Sequence, residues 1–231
     1  MPTSTVENYL KQLYQEERAS GARMVPMGKL ASLMGVVPGT ATTMVKTLAD
    51  SKLVSYEPRG GVRLTPEGTQ LALHVLRRHR LVELFLVRVL GLDWSEVHDE
   101  AEELEHTVSD KVLERIDALL GYPQTDPHGD PIPTAKGHMA SHALANLAEC
   151  PVGIPVTIAR VLDQAPPFLK FVRDAGLTPG TQLIVIARSA PAGSVELTIP
   201  KHAPLNLSIA VAAKFLVAPP PARSAQKKDR L

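Results

Sequence analysis

The sequence predicts a mostly helical α+β chain that ends in a small antiparallel β domain, and three observations predict it. Apolar residues recur at helical spacing through most of the chain up to Leu120. Two short β-type runs flank the Gly60-Gly61 pair. From about Val152 onward, short β-rich runs alternate with Pro and Gly.

Each element follows in order. VENYLKQLYQ has a helical period, and the turn-rich RASGARMV separates it from KLASLMG; PGTATTMVKTLADSKLV then continues as a third helix. VSYEPRGGVRLT reads as a hairpin, so residues 1–75 form a winged helix-turn-helix. Thr65-Pro66-Glu67 is a strong helix start, with a hydroxyl cap, Pro at the first helical position and an acid at the positive end of the dipole; this helix is expected to run to Leu90. Asp93 and Glu96 resemble a capping box for the next helix, and Ser109 caps a third that Gly121 closes. Residues 76–140 therefore form a helical domain, its end marked by Pro123, Pro127, Pro131 and Pro133, which exclude regular helix. VTIARVL, TQLIVIAR, SVELTI and LSIAVAAKFLV predict an antiparallel barrel over 152–218, and the proline-rich, then basic 219–231 reads as a disordered tail.

The net charge of +1 hides an uneven distribution. Residues 1–75 hold 8 Lys/Arg against 6 Asp/Glu (+2), residues 76–150 hold 7 against 14 (−7), and residues 151–231 hold 10 against 4 (+6). An acidic middle segment repels itself when compact unless a cation sits in it. Cys150 is the single cysteine, so neither an internal disulfide nor a thiolate zinc site is available, and a metal would rely on His and carboxylate ligands. No apolar run reaches the roughly 18 residues of a membrane span, and the N-terminus lacks a secretion signal, so a cytoplasmic protein without membrane contact is expected.

Residues 98–106, HDEAEELEH, carry the chemistry. At about 100° per residue, His98, Glu102, Glu105 and His106 share an arc roughly 100° wide, bordering the apolar arc of Val97, Ala101, Leu104 and Val108. His79 and Glu83 add an i, i+4 pair on the preceding helix. Imidazole with several carboxylates suits Mn²⁺, Fe²⁺ or Zn²⁺, and the oxygen-rich set leans toward Mn²⁺. His74, His128, His138, His142 and His202 lack partners at ligand spacing, Trp94 is expected to pack the start of its helix, and Cys150 reads as an inert thiol.

HRLVELFLVRVLGLDWSEVHDEAEELEHTVSD, the later HGDPIP and the winged helix before them resemble the diphtheria-toxin-repressor family of metal-dependent transcriptional regulators, closest to its manganese-responsive members, from about Ser4 through Pro133. The resemblance implies a homodimeric repressor controlling metal homeostasis on a palindromic double-stranded operator, with an SH3-like (FeoA-like) C-terminal domain. It implies a primary site at Asn8, Glu102, Glu105 and His106 and an ancillary site at His79, Glu83 and His98, to which Asp163 and Gln164 are candidate additions. Iron-responsive members have cysteine at the place of Glu102, so Glu102 points to Mn(II), with an Fe(II)-responsive or mixed Mn/Fe repressor the alternative. Lys11 stands where some manganese regulators have a second acid, a departure that argues against their two-metal arrangement. For DNA, the helix Pro38 to Asp50 would enter the major groove with Thr40, Thr42, Thr43 and Lys46, while Arg59 and Arg63 of the wing meet phosphate or the minor groove. Two readings compete: a metallohydrolase, which would need an open coordination position in a substrate cleft and for which the sequence offers no separate general base or phosphate loop, and a winged-helix sensor of an organic ligand.

Overall fold

The computed structural model describes residues 3–140, 143–200 and 203–219; His142, His202 and the expected tail beyond residue 219 lie outside them. The described residues fall into two compact units. The first draws on Met1–Gly91, Val97–Gln124 and Pro131–Ala140, the second on Leu92–Glu96, Thr125–Asp130 and Ser141–Leu231.

In the first unit, α1 (Ser4–Ser20) starts at a Thr3 cap, whose side chain accepts from the Val6 N–H, and stops at Gly21 in the left-handed region. Two shorter helices, α2 (Met27–Leu33) and α3 (Pro38–Asp50), precede the hairpin β1 (Val54–Glu57) and β2 (Gly61–Leu64). The hairpin loop spans Pro58, Arg59 and Gly60. Gly61 pairs with Glu57 across it, at φ +116° and so close to the Val25 carbonyl that an added Cβ would lie 2.6 Å from its oxygen; only glycine fits there. That approach lets Val25 and Val62 exchange both backbone hydrogen bonds, at 2.8 and 3.0 Å, tying the wing to the segment before α2. Leu10, Leu13, Leu30, Val45, Leu48, Val62 and Leu76 belong to one buried cluster, which makes the three helices and wing a single core.

The long helix α4 (Pro66–Arg88) begins as the sequence predicts, with Thr65 accepting from the Gly68 N–H. The single Thr65 Oγ1 hydrogen is shared between the Lys52 and Leu53 carbonyls, at 2.8 and 3.0 Å, so the start of α4 is clamped to the turn before the wing. Gly68 lies against the Leu53 carbonyl with no room for a Cβ, since an added one would meet the oxygen at 1.9 Å. Beyond its midpoint α4 packs on α5 (Val97–Leu104) and α6 (Asp110–Leu119), where Leu81, Leu84, Leu113, Ile116 and Ile132 form a second buried cluster. Ser109 caps α6. The DPIP segment is fixed to α4 by arginines: Arg77 donates to the Pro133 carbonyl at 2.8 Å and Arg80 to that of Pro131 at 2.5 Å.

In the second unit the sheet runs β3 (Ala145–Asn146), β8 (Phe215–Ala218), β4 (Pro155–Val161), β5 (Gln182–Ser189), β6 (Ser194–Thr198), β7 (Leu205–Ser208), all antiparallel. Among the described residues β3 and β7 do not pair, so the sheet is open where a closed barrel was expected. Closure depends on pairing between the outer strands, which alternation along single strands does not encode. The helix α7 (Pro166–Asp174) follows β4. The Asp93 carboxylate accepts from the Ser95 N–H and hydroxyl in an Asx turn; the expected capping box at Asp93 and Glu96 does not form, and α5 starts only at Val97. Trp94 stacks on buried His128, ring centroids 5.3 Å apart, and its carbonyl lies 2.9 Å from His128 Nε2.

Candidate metal centre

Three helices of the first unit converge their polar residues. From α5 and the turn after it come Glu102, Glu105 and His106; α4 contributes Arg78, His79 and Glu83, and α1 contributes Glu7, Asn8 and Lys11. Glu105 is fully buried and lies at the centre. Its Oε1 accepts from Lys11 Nζ at 2.7 Å and its Oε2 lies 2.6 Å from His79 Nδ1. Lys11, 2% exposed, also reaches Glu102 Oε1 at 2.5 Å. On its other side His79 places Nε2 2.9 Å from Glu83 Oε1, and His98 Nδ1 stands 3.3 Å from that same oxygen.

His79 therefore belongs to two clusters, His79-Glu83-His98 and His79-Glu102-Glu105, in each of which one candidate ligand atom per residue lies within 4.8 Å of the others. Burial works against an imidazolium here, yet hydrogen bonds to Glu105 and Glu83 and the charge of Glu83 outweigh it and raise the His79 pKa to about 9. For Glu105, burial favours the neutral acid, but His79 and Lys11 win and hold its carboxyl below the ordinary range.

The remaining two expected ligands show the fit for an ion. His106 Nδ1 lies 2.6 Å from Glu7 Oε2, to which it donates, and its Nε2 lies 3.5 Å from Glu105 Oε1. Glu7 is held in turn by Arg78, at 3.4 Å, and Arg78 also donates to the Glu105 carbonyl at 3.1 Å. His106 Nε2 and Asn8 Oδ1 are both buried without a hydrogen bond. For Asn8 Oδ1, an acceptor, burial without a donor costs about 1–3 kcal/mol, which a cation would recover. Asn8 lies one turn before Lys11 on α1, and therefore on the face that meets Glu102 and Glu105. Two carboxylates, an imidazole and an amide oxygen are donor types suited to a divalent first-row ion.

Of the sequence-expected ligands, His79, Glu83, His98, Glu102 and Glu105 fall into the two clusters, whereas His106, in the turn after α5, belongs to neither, and Asn8 stands on α1. Asp163 and Gln164 are engaged inside the second unit: Asp163 pairs with Lys214 at 2.6 Å and accepts from the Ala165 N–H, and Gln164 donates to Asp130 at 2.6 Å. Sequence reasoning missed Glu7 and Arg78, and read Lys11 as a departure from the family pattern without placing it in the cluster. The one signal for Lys11 was its i+3 spacing from Asn8.

For DNA, α3 presents Thr40, Thr43 and Lys46 on an exposed face, while Thr42 is half-buried. The hydroxyls of Thr42 and Thr43 bond back to the Pro38 and Gly39 carbonyls. Exposed Thr47, on the same face, was not anticipated, although its spacing from Thr40 and Thr43 marks it. Arg59 sits at the wing tip at φ +66°, and Arg63 is exposed on β2. At the wing's base the Leu64 N–H donates to Glu17 Oε1 at 2.7 Å, so α1, which carries Asn8 and Lys11, also holds the wing. No described helix is long and apolar enough to cross a membrane.

Comparison with known proteins agrees with this architecture. Residues 1–62 match the iron-dependent repressor N-terminal DNA-binding domain, residues 65–134 the iron-dependent repressor metal-binding and dimerisation domain, and residues 145–219 the FeoA domain. The chain is 33% identical over 218 residues to the iron-dependent repressor IdeR of Mycobacterium leprae, covering 88% of this chain and 92% of that protein. Over 136 residues it is 32% identical to the HTH-type transcriptional regulator MntR of Listeria monocytogenes, covering 59% of this chain and 92% of that one. A solved manganese-dependent transcriptional repressor in complex with manganese superposes with a TM-score of 0.81 at 39% identity, covering 93% of this chain and 99% of that one. With DNA-binding, metal-binding and dimerisation domains matched in order, the chain is a metal-dependent, DNA-binding transcriptional repressor that acts as a homodimer and is not an enzyme: it belongs to the diphtheria-toxin-repressor family.

Proposed function

We propose that the chain represses metal-homeostasis genes in the cytoplasm when Mn(II) binds, with Asn8, Glu102, Glu105 and His106 as the primary ligands and His79, Glu83 and His98 as the ancillary ones. The observation that carries this reading is Asn8 Oδ1, a buried acceptor without a hydrogen bond on the helix whose Lys11 meets Glu102 and Glu105, in a cluster that contains two carboxylates and no thiolate. Oxygen donors and imidazole favour Mn(II) over softer ions, whereas Fe(II) accepts a similar set and is the second reading, supported by the likeness to IdeR.

When bound, the ion supplies positive charge shared between α1 and α5. Asn8 and the α5 ligands then act as a clamp on the N-terminal half of α1. Glu17, nine residues further along the same helix, holds the wing, so fixing α1 fixes the DNA-contacting elements, with about 13 Å of rigid helix between the two points. Glu7 orients His106 for ligation and Arg78 holds Glu7. In a homodimer this clamp biases the spacing of the two α3 helices toward the half-site spacing of a palindromic operator, a population shift. Exposed apolar side chains on the helical segment, among them Leu104, Val112 and Leu119, provide surface for the second copy.

The test is anaerobic binding to DNA upstream of the protein's own coding sequence, titrated separately with Mn²⁺ and Fe²⁺ against a chelated control at fixed salt. Half-activation at a lower free concentration of Mn²⁺ than of Fe²⁺ is the expected result. The reverse order would assign the chain to iron.

A further inference from the structure

The most heavily buried cation of the first unit is part of the chain itself. Lys11 is 2% exposed, and its ammonium bridges Glu102 of α5 at 2.5 Å and Glu105, in the turn after it, at 2.7 Å. Bridging two carboxylates and neutralising their repulsion is what a divalent ion would do with the same residues. The four-carbon stem descends from α1, one turn from Asn8, so this link joins the same two helices that the primary ligands join.

We propose that Lys11 is a tethered competitor of the metal ion: its ammonium holds Glu102 and Glu105 when the ion is absent and sets the concentration at which the repressor is activated. This rests on the metal reading above and adds to it a residue that opposes the ligands. Two consequences follow from the charge. An ion entering at Asn8 and His106 must either displace the ammonium from the carboxylates or share them with a positive neighbour, and both weaken its binding. Without the ion, Lys11 neutralises the two carboxylates and ties their segment to α1, so the chelated chain retains its fold instead of loosening around bare acids. Lysine suits this role because its stem is flexible enough to withdraw while its point charge stays strong.

The test compares the full-length wild type with Lys11→Gln and Lys11→Arg. Affinity for Mn²⁺ is read by competition with a chelator of known strength, starting from Mn²⁺-loaded protein so that each variant begins folded. Lys11→Gln is expected to bind Mn²⁺ at least tenfold more tightly and to lose thermal stability after chelation, recovering it when Mn²⁺ returns. Lys11→Arg, which keeps the charge, is expected to stay within about threefold of wild type in affinity. Unchanged or weaker Mn²⁺ binding by Lys11→Gln would overturn the proposal, as would tightening of the same size in Lys11→Arg. Failure of the metal reading itself has a different signature: wild type that binds no Mn²⁺, or Glu105→Gln that binds it as tightly as wild type.

Discussion

His79 illustrates how single residues divide the work at this site. Its two ring nitrogens meet Glu105 at 2.6 Å and Glu83 at 2.9 Å, and in the absence of an ion both act as donors. The folded-state pKa of about 9 lies above the ordinary 6.5, so the folded chain holds this proton more tightly than the unfolded one. The resulting stability, about 3 kcal/mol for the group, is complete below pH 6.5, declines as pH rises toward 9 and is absent above it. Chelated wild type is therefore expected to lose denaturant resistance between pH 6.5 and 9, and His79→Gln to lose much less over that window; parallel curves for the two would contradict the assignment. Ligand positions on α4 and α5 were legible in the sequence because helical period fixes which residues share an arc. The contacts of Lys11 with Glu102 and Glu105, 91 and 94 positions away, were not, since no local periodicity encodes which helices meet.

At the scale of elements, the caps and turns were the most readable features. Thr65-Pro66-Glu67 starts α4 and Ser109 starts α6, each through a side-chain hydrogen bond that depends on neighbouring residues alone. Asp93 is the counterexample: its carboxylate found the nearer donors of Ser95, a choice between two local bonds that the spacing left open. The open edge of the C-terminal sheet and the bonds of Asp163 and Gln164 to Lys214 and Asp130 likewise depend on tertiary neighbours. The wing yields its own prediction. Arg59 and Arg63 are exposed on one hairpin, and if each neutralises a phosphate, replacing either by Ala should reduce the salt slope of log K by roughly 1 per arginine that is lost from each copy. Quantitative DNA binding across a salt series checks this, and an unchanged slope in both variants would remove the wing from the interface.

For the whole molecule, the charge partition acquires a structural meaning. The segment 76–150, with 14 acids against 7 bases, supplies the carboxylates of the cluster, while neutralisation comes partly from outside it, through Lys11 of α1. An acidic segment calling for a cation was legible from composition; that the chain brings one of its own required the packing of α1 on α4, which carries Lys11 to Glu102 and Glu105. The central claim is that DNA affinity is controlled through Glu105, the buried carboxylate on which Lys11 and His79 converge. The most direct test is operator binding by Glu105→Gln against wild type, titrated with Mn²⁺, with the oligomeric state of both measured in parallel. The account predicts that the variant remains a dimer and that its Mn²⁺-dependent gain in DNA affinity falls at least tenfold; a dimeric variant that responds to Mn²⁺ as wild type does would contradict it.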